Sequence, residues 1–431
     1  MIAVSEPVPP DSSVFAAFVG LDWADQKHDL VLYDPRGGQP EALQLPHTPE
    51  AIDEWACTLR RRFGDRPVAV CFEQTRGAIA YALLKYDFLV LFPLPPARLA
   101  SYRESFSNSG AKDDPTDAAL LVDYLLRHRD QLRVWKPDSP ATRELFLLAE
   151  ARRSMVDQKT RLSNQLTDLL KHYFPQALAL VGHDVDTPLA GDFLAQWNTL
   201  AAGQAALPAT LRKFYYAHHC RSEERIQERL ALVKSAIPLT TDLALIQAGT
   251  LQVQCLVAQI RVVRKAISRY DARLMELMDQ HPDAALFRAL PGAGAALAPR
   301  LLVAFGTDRE RFQSAQELQT LSGAAPITKR SGKRYTVLRR WACPKFLRQT
   351  FHEFAFCSCR RSLWAKAFYL QQRATGKGHH AALRTLAFKW IRILFRCGKT
   401  NTPYSEDRYL ESLRHRQAPL LAFLPAAPLT R

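Results

Sequence analysis

The chain has 431 residues, an apolar content of 47% and a formal net charge of +16. That length calls for two or three domains, each large enough for its own core, and that charge points to a polyanionic partner. No continuous apolar run reaches the ~20 residues of a spanning helix, so no membrane partner is expected. Met1–Ser13 lacks the basic-then-apolar order of a secretory signal, and eight cysteines without framework spacing fit free thiols in a reducing cytoplasm. The charge is unevenly placed. Leu286–Thr400 holds 22 Lys and Arg against four Asp and Glu, so the basic surface is mostly C-terminal.

Residues 1–12 are Pro-, Ser- and acid-rich and are expected to be disordered. From residue 13 to 135 the pattern reads β-β-β-α-β-α-β-α. Strands are expected at Val14–Leu21, His28–Tyr33, Glu41–Leu45, Val68–Phe72 and Phe88–Leu91. Helices are expected at Thr48–Phe63, Gly77–Tyr86 and Pro115–His128, the first capped by Thr48 ahead of Pro49. A meander that then alternates with helices predicts a mixed sheet with helices on its faces, an α/β domain.

After the linker Pro137–Pro140 the period changes. Leu145, Leu148, Arg152, Met155, Lys159, Leu162, Leu166, Leu169 and Tyr173 keep 3-4 spacing, and so do Val253, Leu256, Ile260, Val263, Ile267, Tyr270, Leu274 and Leu277. Two long heptad helices predict an antiparallel coiled-coil arm within 140–285. The heptads serve an intramolecular hairpin, a contact between protomers, or both. Phe214–His219, between them, carries no pattern that assigns it a role.

The basic third, 286–405, reads as mainly helical. Leu290-Pro291-Gly292-Ala293-Gly294 resembles the turn of a helix-hairpin-helix, whose amides can hold a phosphate; a tight turn without ligand is the plain alternative. Lys329-Arg330-Ser331-Gly332-Lys333-Arg334 sets one hydroxyl among four cations. It fits either a loop that presses a phosphate against Ser331 or a basic hairpin that neutralises a backbone. Cys343, Cys357, Cys359 and Cys397 lie near His352, His379 and His380, but without paired Cys-x-x-Cys spacing buried thiols are expected rather than zinc. Residues 411–431 read as a tail.

Four carboxylates are candidates for chemistry. Asp22 and Glu73 each end a strand, and if those strands are parallel neighbours both emerge at one sheet end. Asp114 and Asp117 open a helix, where N-capping alone would explain them. Four such groups without cationic partners would repel one another and favour divalent metal, and two Mg²⁺ ions could clamp a phosphodiester.

These motifs together resemble the bacterial insertion-sequence transposases with an N-terminal DEDD domain and a C-terminal serine domain, relatives of the Piv-type invertases and of bridge-RNA-guided recombinases. The pieces are Gly20-x-Asp22, Glu73-x-Thr75-x-Gly77, Pro93, Lys112-x-Asp114-x-x-Asp117-Ala118, Leu290-Pro291-Gly292-x-Gly294, Gly323-x-x-Pro326, Ser331-Gly332, Leu347-Arg348 and Thr402-Pro403-Tyr404. Where many members carry Lys-x-Gly-Asn after the serine, this chain has Arg340-Trp341-Ala342-Cys343-Pro344.

The resemblance implies a RuvC-like ribonuclease-H fold for 13–135 and a serine transposase domain for 286–405. It implies that Asp22, Glu73, Asp114 and Asp117 bind metal and that Ser331 is the nucleophile. It also implies DNA and a structured guide RNA as partners, and a homodimer or homotetramer whose active site combines the carboxylates of one protomer with the serine of another. Gly292, Gly294, Lys329, Arg330, Lys333, Arg334, Arg339 and Arg340 are the expected nucleic-acid contacts. Two other readings stand beside this one: a metal-dependent junction nuclease using water, and a non-catalytic nucleic-acid-binding protein.

Overall fold

The computed structural model describes residues 14–37, 39–73, 78–106, 114–332 and 334–425, with only the backbone of 114 and 115. The expectation of disorder for 1–12 lies outside these residues. The chain divides into two compact units, Met1–Pro137 and Asp138–Arg431.

In the first unit β1 (Ala17–Asp22), β2 (Lys27–Tyr33), β3 (Glu41–Pro46), β4 (Val68–Glu73) and β5 (Leu89–Leu94) form one sheet in the order β3-β2-β1-β4-β5. The first three strands are an antiparallel meander, whereas β4 runs parallel to β1 and β5 parallel to β4. Pro93 sits on β5, an edge strand, where a missing N–H costs no ladder bond.

Helices cover both faces. α1 (Pro49–Phe63) and α2 (Ala78–Leu83) bury Trp55, Leu59 and Ile79 against Val19, Leu21, Val70 and Phe72. Thr48 Oγ1 accepts from the Ala51 N–H, as the expected N-cap requires, and Gly64 ends α1 at φ 66°. On the other face lie α3 (Pro96–Glu104) and α4 (Asp114–His128), where Leu99, Leu121 and Leu125 meet Phe18, Ala69, Cys71 and Phe92. α3 was not among the expected helices: it is short, begins on the second of two consecutive prolines and has one buried residue, Leu99.

Gly20 faces α4. A Cβ on it would stand 2.0 Å from the Ala118 carbonyl oxygen and 2.9 Å from the Val122 nitrogen. The bare Cα therefore lets the helix backbone rest on the strand.

The second unit is helical except for one hairpin. α5 (Pro140–Tyr173) is followed by five short helices: α6 (Gln176–Val181), α7 (Pro188–Gln196), α8 (Leu200–Ala205), α9 (Pro208–Ala217) and α10 (Glu223–Ser235). α11 (Leu243–Gln280) then returns along α5. The two long helices are antiparallel: the Thr142 hydroxyl lies 3.1 Å from His281 Nε2 at one end, and Gly249 meets the Tyr173 ring at the other. Arg152 pairs with Asp271, and Arg273 with Glu144 at 2.7 Å.

The short helices close a core around Phe193, Trp197, Phe214 and Tyr215. That settles Phe214–His219. Two of its aromatics are core, Tyr216 donates to Glu223 at 2.8 Å, and His219 turns the chain at φ 59°. α11 is long and apolar enough to cross a membrane by length and composition alone, although glutamines break it into shorter apolar runs. Its buried stripe packs on α5 and the short helices.

At the other end of the arm come α12 (Ala284–Arg288), α13 (Gly294–Phe305), α14 (Ala315–Leu321), the strands β6 (Ile327–Ser331) and β7 (Arg334–Leu338), α15 (Lys345–Ser358), α16 (Leu363–Ala374), α17 (His379–Thr400) and α18 (Glu406–His415). Trp364, Trp390, Phe305 and Phe354 centre their core. Glu353 of α15 joins this core to the arm by accepting from buried Arg300 of α13 at 2.5 Å and from Arg153 of α5 at 2.9 Å. The tail expected from 411 onward is part of the domain as far as 425, because Leu413 and Leu420 are buried in the same core.

Gly20→Ala should cost the first unit about 3 kcal/mol through overpacking, seen as a lower denaturation midpoint for its transition. An unchanged midpoint would mean that α4 does not rest on β1.

Candidate functional site

The first-unit site follows from the strand period. Phe18 of β1, Ala69 and Cys71 of β4 and Phe92 of β5 face α4. Side chains two residues apart share a face, so Asp22 and Glu73 face the same way as Phe18 and Cys71. The parallel register pairs Leu21 with Phe72, and one step further Asp22 is level with Glu73. Both carboxylates are half-buried at the end of the sheet. Ala118, the residue against Gly20, fixes the start of α4 there, with Asp117 immediately before it and Asp114 one turn earlier. The side chain of Asp114 lies outside the described residues.

Two groups were missed in the sequence. Asp29 of β2 pairs in register with Asp22, so a further carboxylate faces α4 beside it; its Oδ1 accepts from Gln44 Nε2 at 2.9 Å. Alternation along β2 could have revealed it. Arg103 of α3 could not have been found that way. Its Nε and Nη2 donate to Asp117 Oδ1 and Oδ2 at 2.8 and 2.5 Å, while Asp117 is 1% exposed. The premise of four carboxylates without cationic partners therefore fails at Asp117. Tyr102, next to Arg103, donates to Asp123 at 2.6 Å and so ties α3 to α4 a second time.

Below the site His28 is fully buried. Its Nδ1 accepts from the Ala24 N–H at 3.2 Å, which leaves the proton on Nε2 to be donated to His47 Nδ1 at 2.9 Å. Burial first, and His47 second, push its pKa down to about 4. The neutral ring thus anchors the loop that follows Asp22.

Among the described residues no three His, Cys, Asp or Glu side chains are gathered as a metal site would gather them. The donor chemistry nevertheless suits a hard divalent cation at Asp22 and Glu73. Asp117 can join only by giving up Arg103.

Ser331 ends β6 and pairs with Arg334 of β7, and Gly332 follows it in the turn. Gly332 has φ 55°, the left-handed backbone that tight hairpins require. The backbone of this stretch is a hairpin, a form that serves either reading of its serine. Ser331, Lys329, Arg330 and Arg334 are exposed, and among the described residues the Ser331 hydroxyl has no hydrogen-bond partner. Lys333 lies outside the described residues. Arg339 is exposed and stacks on Trp341 at 3.9 Å, while Arg340 donates to the Ala325 carbonyl at 3.3 Å.

Gly292 and Gly294 differ in kind. A Cβ on Gly292 would stand 2.8 Å from the Cys357 carbonyl, so this glycine serves packing on α15. Gly294 is exposed at φ 54° with open space where a Cβ would be.

A three-stranded meander extended by two parallel strands, with acids at the end of its first and fourth strands, is the arrangement of a ribonuclease-H-like DEDD domain. Residues 19–175 match the family model of the IS110-type DEDD transposase domain, and 284–370 match that of the IS116/IS110/IS902 transposase family. Both models describe transposases of this family, so two separate regions of the chain are similar to it.

The similarity extends along most of the chain. A protein of Streptomyces coelicolor named as a transposase candidate for the IS117 mini-circle is 28% identical over 398 residues, covering 91% of this chain and 96% of its own. The 43.6 kDa protein of insertion element IS110 from the same species is 25% identical, with the same coverage. The 42 kDa protein of IS900 from Mycobacterium paratuberculosis is 23% identical over 70% of this chain and 74% of its own. Similarity to transposases points to DNA as the substrate and to strand cutting and recombination as the class of reaction; domains of the DEDD type typically use a divalent metal.

Arg103→Ala should destabilise the first unit by about 3 kcal/mol, because it leaves the buried Asp117 carboxylate unpaired. The Arg103→Ala, Asp117→Asn double variant should recover most of that loss in the same denaturation experiment.

Proposed function

We propose that the protein is an Mg²⁺-dependent serine recombinase that excises and inserts an insertion sequence. The observation that carries this reading is Ser331: an exposed hydroxyl on a cationic hairpin, without a hydrogen-bond partner among the described residues. Asp22 and Glu73, with Asp114 and with Asp117 once Arg103 lets go, would hold the metal. Mg²⁺ at these residues supplies charge for the developing oxyanion and favours loss of the serine proton.

Ser331 Oγ attacks phosphorus. The Oγ–P bond forms as the bond to one strand oxygen breaks, that oxygen takes up a proton, and the proton of Oγ passes to a carboxylate or to solvent. The phosphoserine keeps the energy of the phosphodiester, so rejoining to a new strand needs no nucleotide cofactor. Lys329, Arg330, Lys333 and Arg334 offset the phosphate charge. A structured guide RNA that pairs with donor and target DNA completes the reading, and this element rests on the resemblance alone.

The reading also needs a second copy of the chain, since the resemblance combines carboxylates and serine from different protomers. α11 offers a face for it. Ala244, Ala248, Leu251, Cys255, Ala258 and Val262 follow strict 3-4 spacing and are all exposed, Leu251 at 65% and Val262 at 69%. From Leu243 to Ile260 there is no Asp, Glu, Lys or Arg, so two such faces can meet without charge repulsion or the desolvation of an ion.

Incubation with Mg²⁺, element DNA and RNA should give a protein–DNA adduct that survives denaturation and vanishes in Ser331→Ala. Cleavage that persists in Ser331→Ala would instead establish the water-using nuclease, and binding without cleavage, indifferent to Asp22→Ala, the non-catalytic reading. Leu251→Glu with Val262→Glu should lower the mass seen by light scattering to that of one chain and abolish adduct formation. An unchanged oligomer would remove α11 as the joining face.

A further inference from the structure

A cavity of about 380 Å³ opens between α15, α17, the loop after α14 and the segment after β7. That volume lies within the ~300–1,000 Å³ of small-ligand sites. Three guanidiniums line it: Arg339 beyond β7, Arg348 of α15 and Arg384 of α17. None of them has a carboxylate partner among the described residues. Glu353 also lines the cavity, but its two oxygens already accept from Arg300 and Arg153.

The positive charge is crowded. Arg384 is held below its ordinary pKa by burial and then by Arg339. His352 Nε2 lies 3.2 Å from His380 Nδ1, and burial, His380, Arg384 and Arg339 push His352 down to about 4. Like charges gathered in a partly desolvated concavity are costly unless an anion joins them. Trp341 holds two of the cations in place, with its ring 3.9 Å from the Arg339 guanidinium and 5.7 Å from that of Arg348. Planar guanidiniums fixed in this way match the paired oxygens of a phosphate.

The remaining wall is of another kind. Phe351, Ala324 and Ala387 are apolar, and Gln349 brings an amide with both donors and an acceptor. A bare phosphate would not use these groups, whereas a nucleobase would.

We propose that this cavity takes one nucleotide of a single-stranded nucleic acid, its phosphate among Arg339, Arg348 and Arg384 and its base against the wall of Ala324 and Gln349. A duplex keeps its bases stacked and cannot place one there without extruding it. β7 runs directly from the Ser331 turn to Arg339, five residues or roughly 17 Å of strand. The cavity would thus hold a strand a few nucleotides away from the hairpin. The inference goes beyond the recombinase reading and does not depend on it, because binding can be measured without cleavage.

The test uses full-length protein in the Ser331→Ala background without Mg²⁺. Fluorescence anisotropy follows fluorescein-labelled oligothymidylate of about ten nucleotides, its oligouridylate counterpart and a duplex of equal length. Arg384→Gln and, separately, Arg339→Gln should each weaken single-strand binding about tenfold, and Arg384→Gln should leave the duplex within about twofold. Arg384→Lys should recover only part of the loss, because it keeps the charge and not the fork. The arm that loses more, DNA or RNA, identifies which strand the cavity serves. Arg339 is exposed, so its variant carries the test if Arg384→Gln fails to fold, as judged by circular dichroism. Single-strand affinity unchanged in the folded variants, or an equal loss for single strand and duplex, would overturn the proposal.

Discussion

The contact between Gly20 and the backbone of α4 is the constraint on which the first unit's site depends. A strand interior is a poor place for glycine, because ordering it costs more backbone entropy than ordering alanine, by roughly 0.5–1 kcal/mol. Here the missing side chain is what lets Ala118 touch β1. Asp22 lies two residues beyond Gly20 on the same face, the parallel register sets Glu73 level with it, and Asp117 and Asp114 precede Ala118 on the helix. One close approach therefore brings the termini of three elements to the same edge. A bulkier residue at position 20 would separate the helix acids from the strand acids even if every carboxylate remained in the chain.

Much of this was legible in the sequence, for physical reasons. Each strand is a short apolar run bounded by turn residues, and α1 and α4 carry their own start signals. The five strands and the Asp22–Glu73 neighbourhood could be inferred because period and order constrain them. What escaped was non-local. Arg103 stands on a short helix with little amphipathic signal, and nothing in its neighbourhood announces a partner fourteen residues on. The second, exposed stripe of α11 escaped for a different reason. The stripe that serves α5 carries the strong heptad signal, and alanine, cysteine and glutamine dilute the other. Phe214–His219 had no readable period because its residues serve three purposes: core, surface bond and helix end.

The Arg103–Asp117 pair alters the electrostatic picture of the carboxylate set. A bidentate guanidinium neutralises the most buried acid, so the repulsion that would otherwise open this edge is reduced. Both oxygens that Arg103 occupies are oxygens that a hard cation would need, and the Arg103 side chain is 23% exposed where that of Asp117 is 1% exposed. On the proposed reading the pair stabilises the unit without metal, and Asp117 becomes a ligand only once Arg103 has moved aside.

Ser331 presents the complementary problem. Cations around a hydroxyl attract a phosphate and stabilise charge upon it, but they cannot accept a proton. Ser331 has Lys329, Arg330 and Arg334 about it and no hydrogen-bonded base among the described residues. The acids that could remove the proton belong to a different compact unit, fixed on a sheet edge by Gly20. On the proposed reading, neither half is reactive by itself: the hairpin binds DNA without cutting it, and the acid edge has no serine to activate. Cleavage then requires that the two be docked together, and a pairing between protomers makes strand cutting conditional on assembly. Such conditionality suits a reaction in which an unmatched cut would leave broken DNA behind.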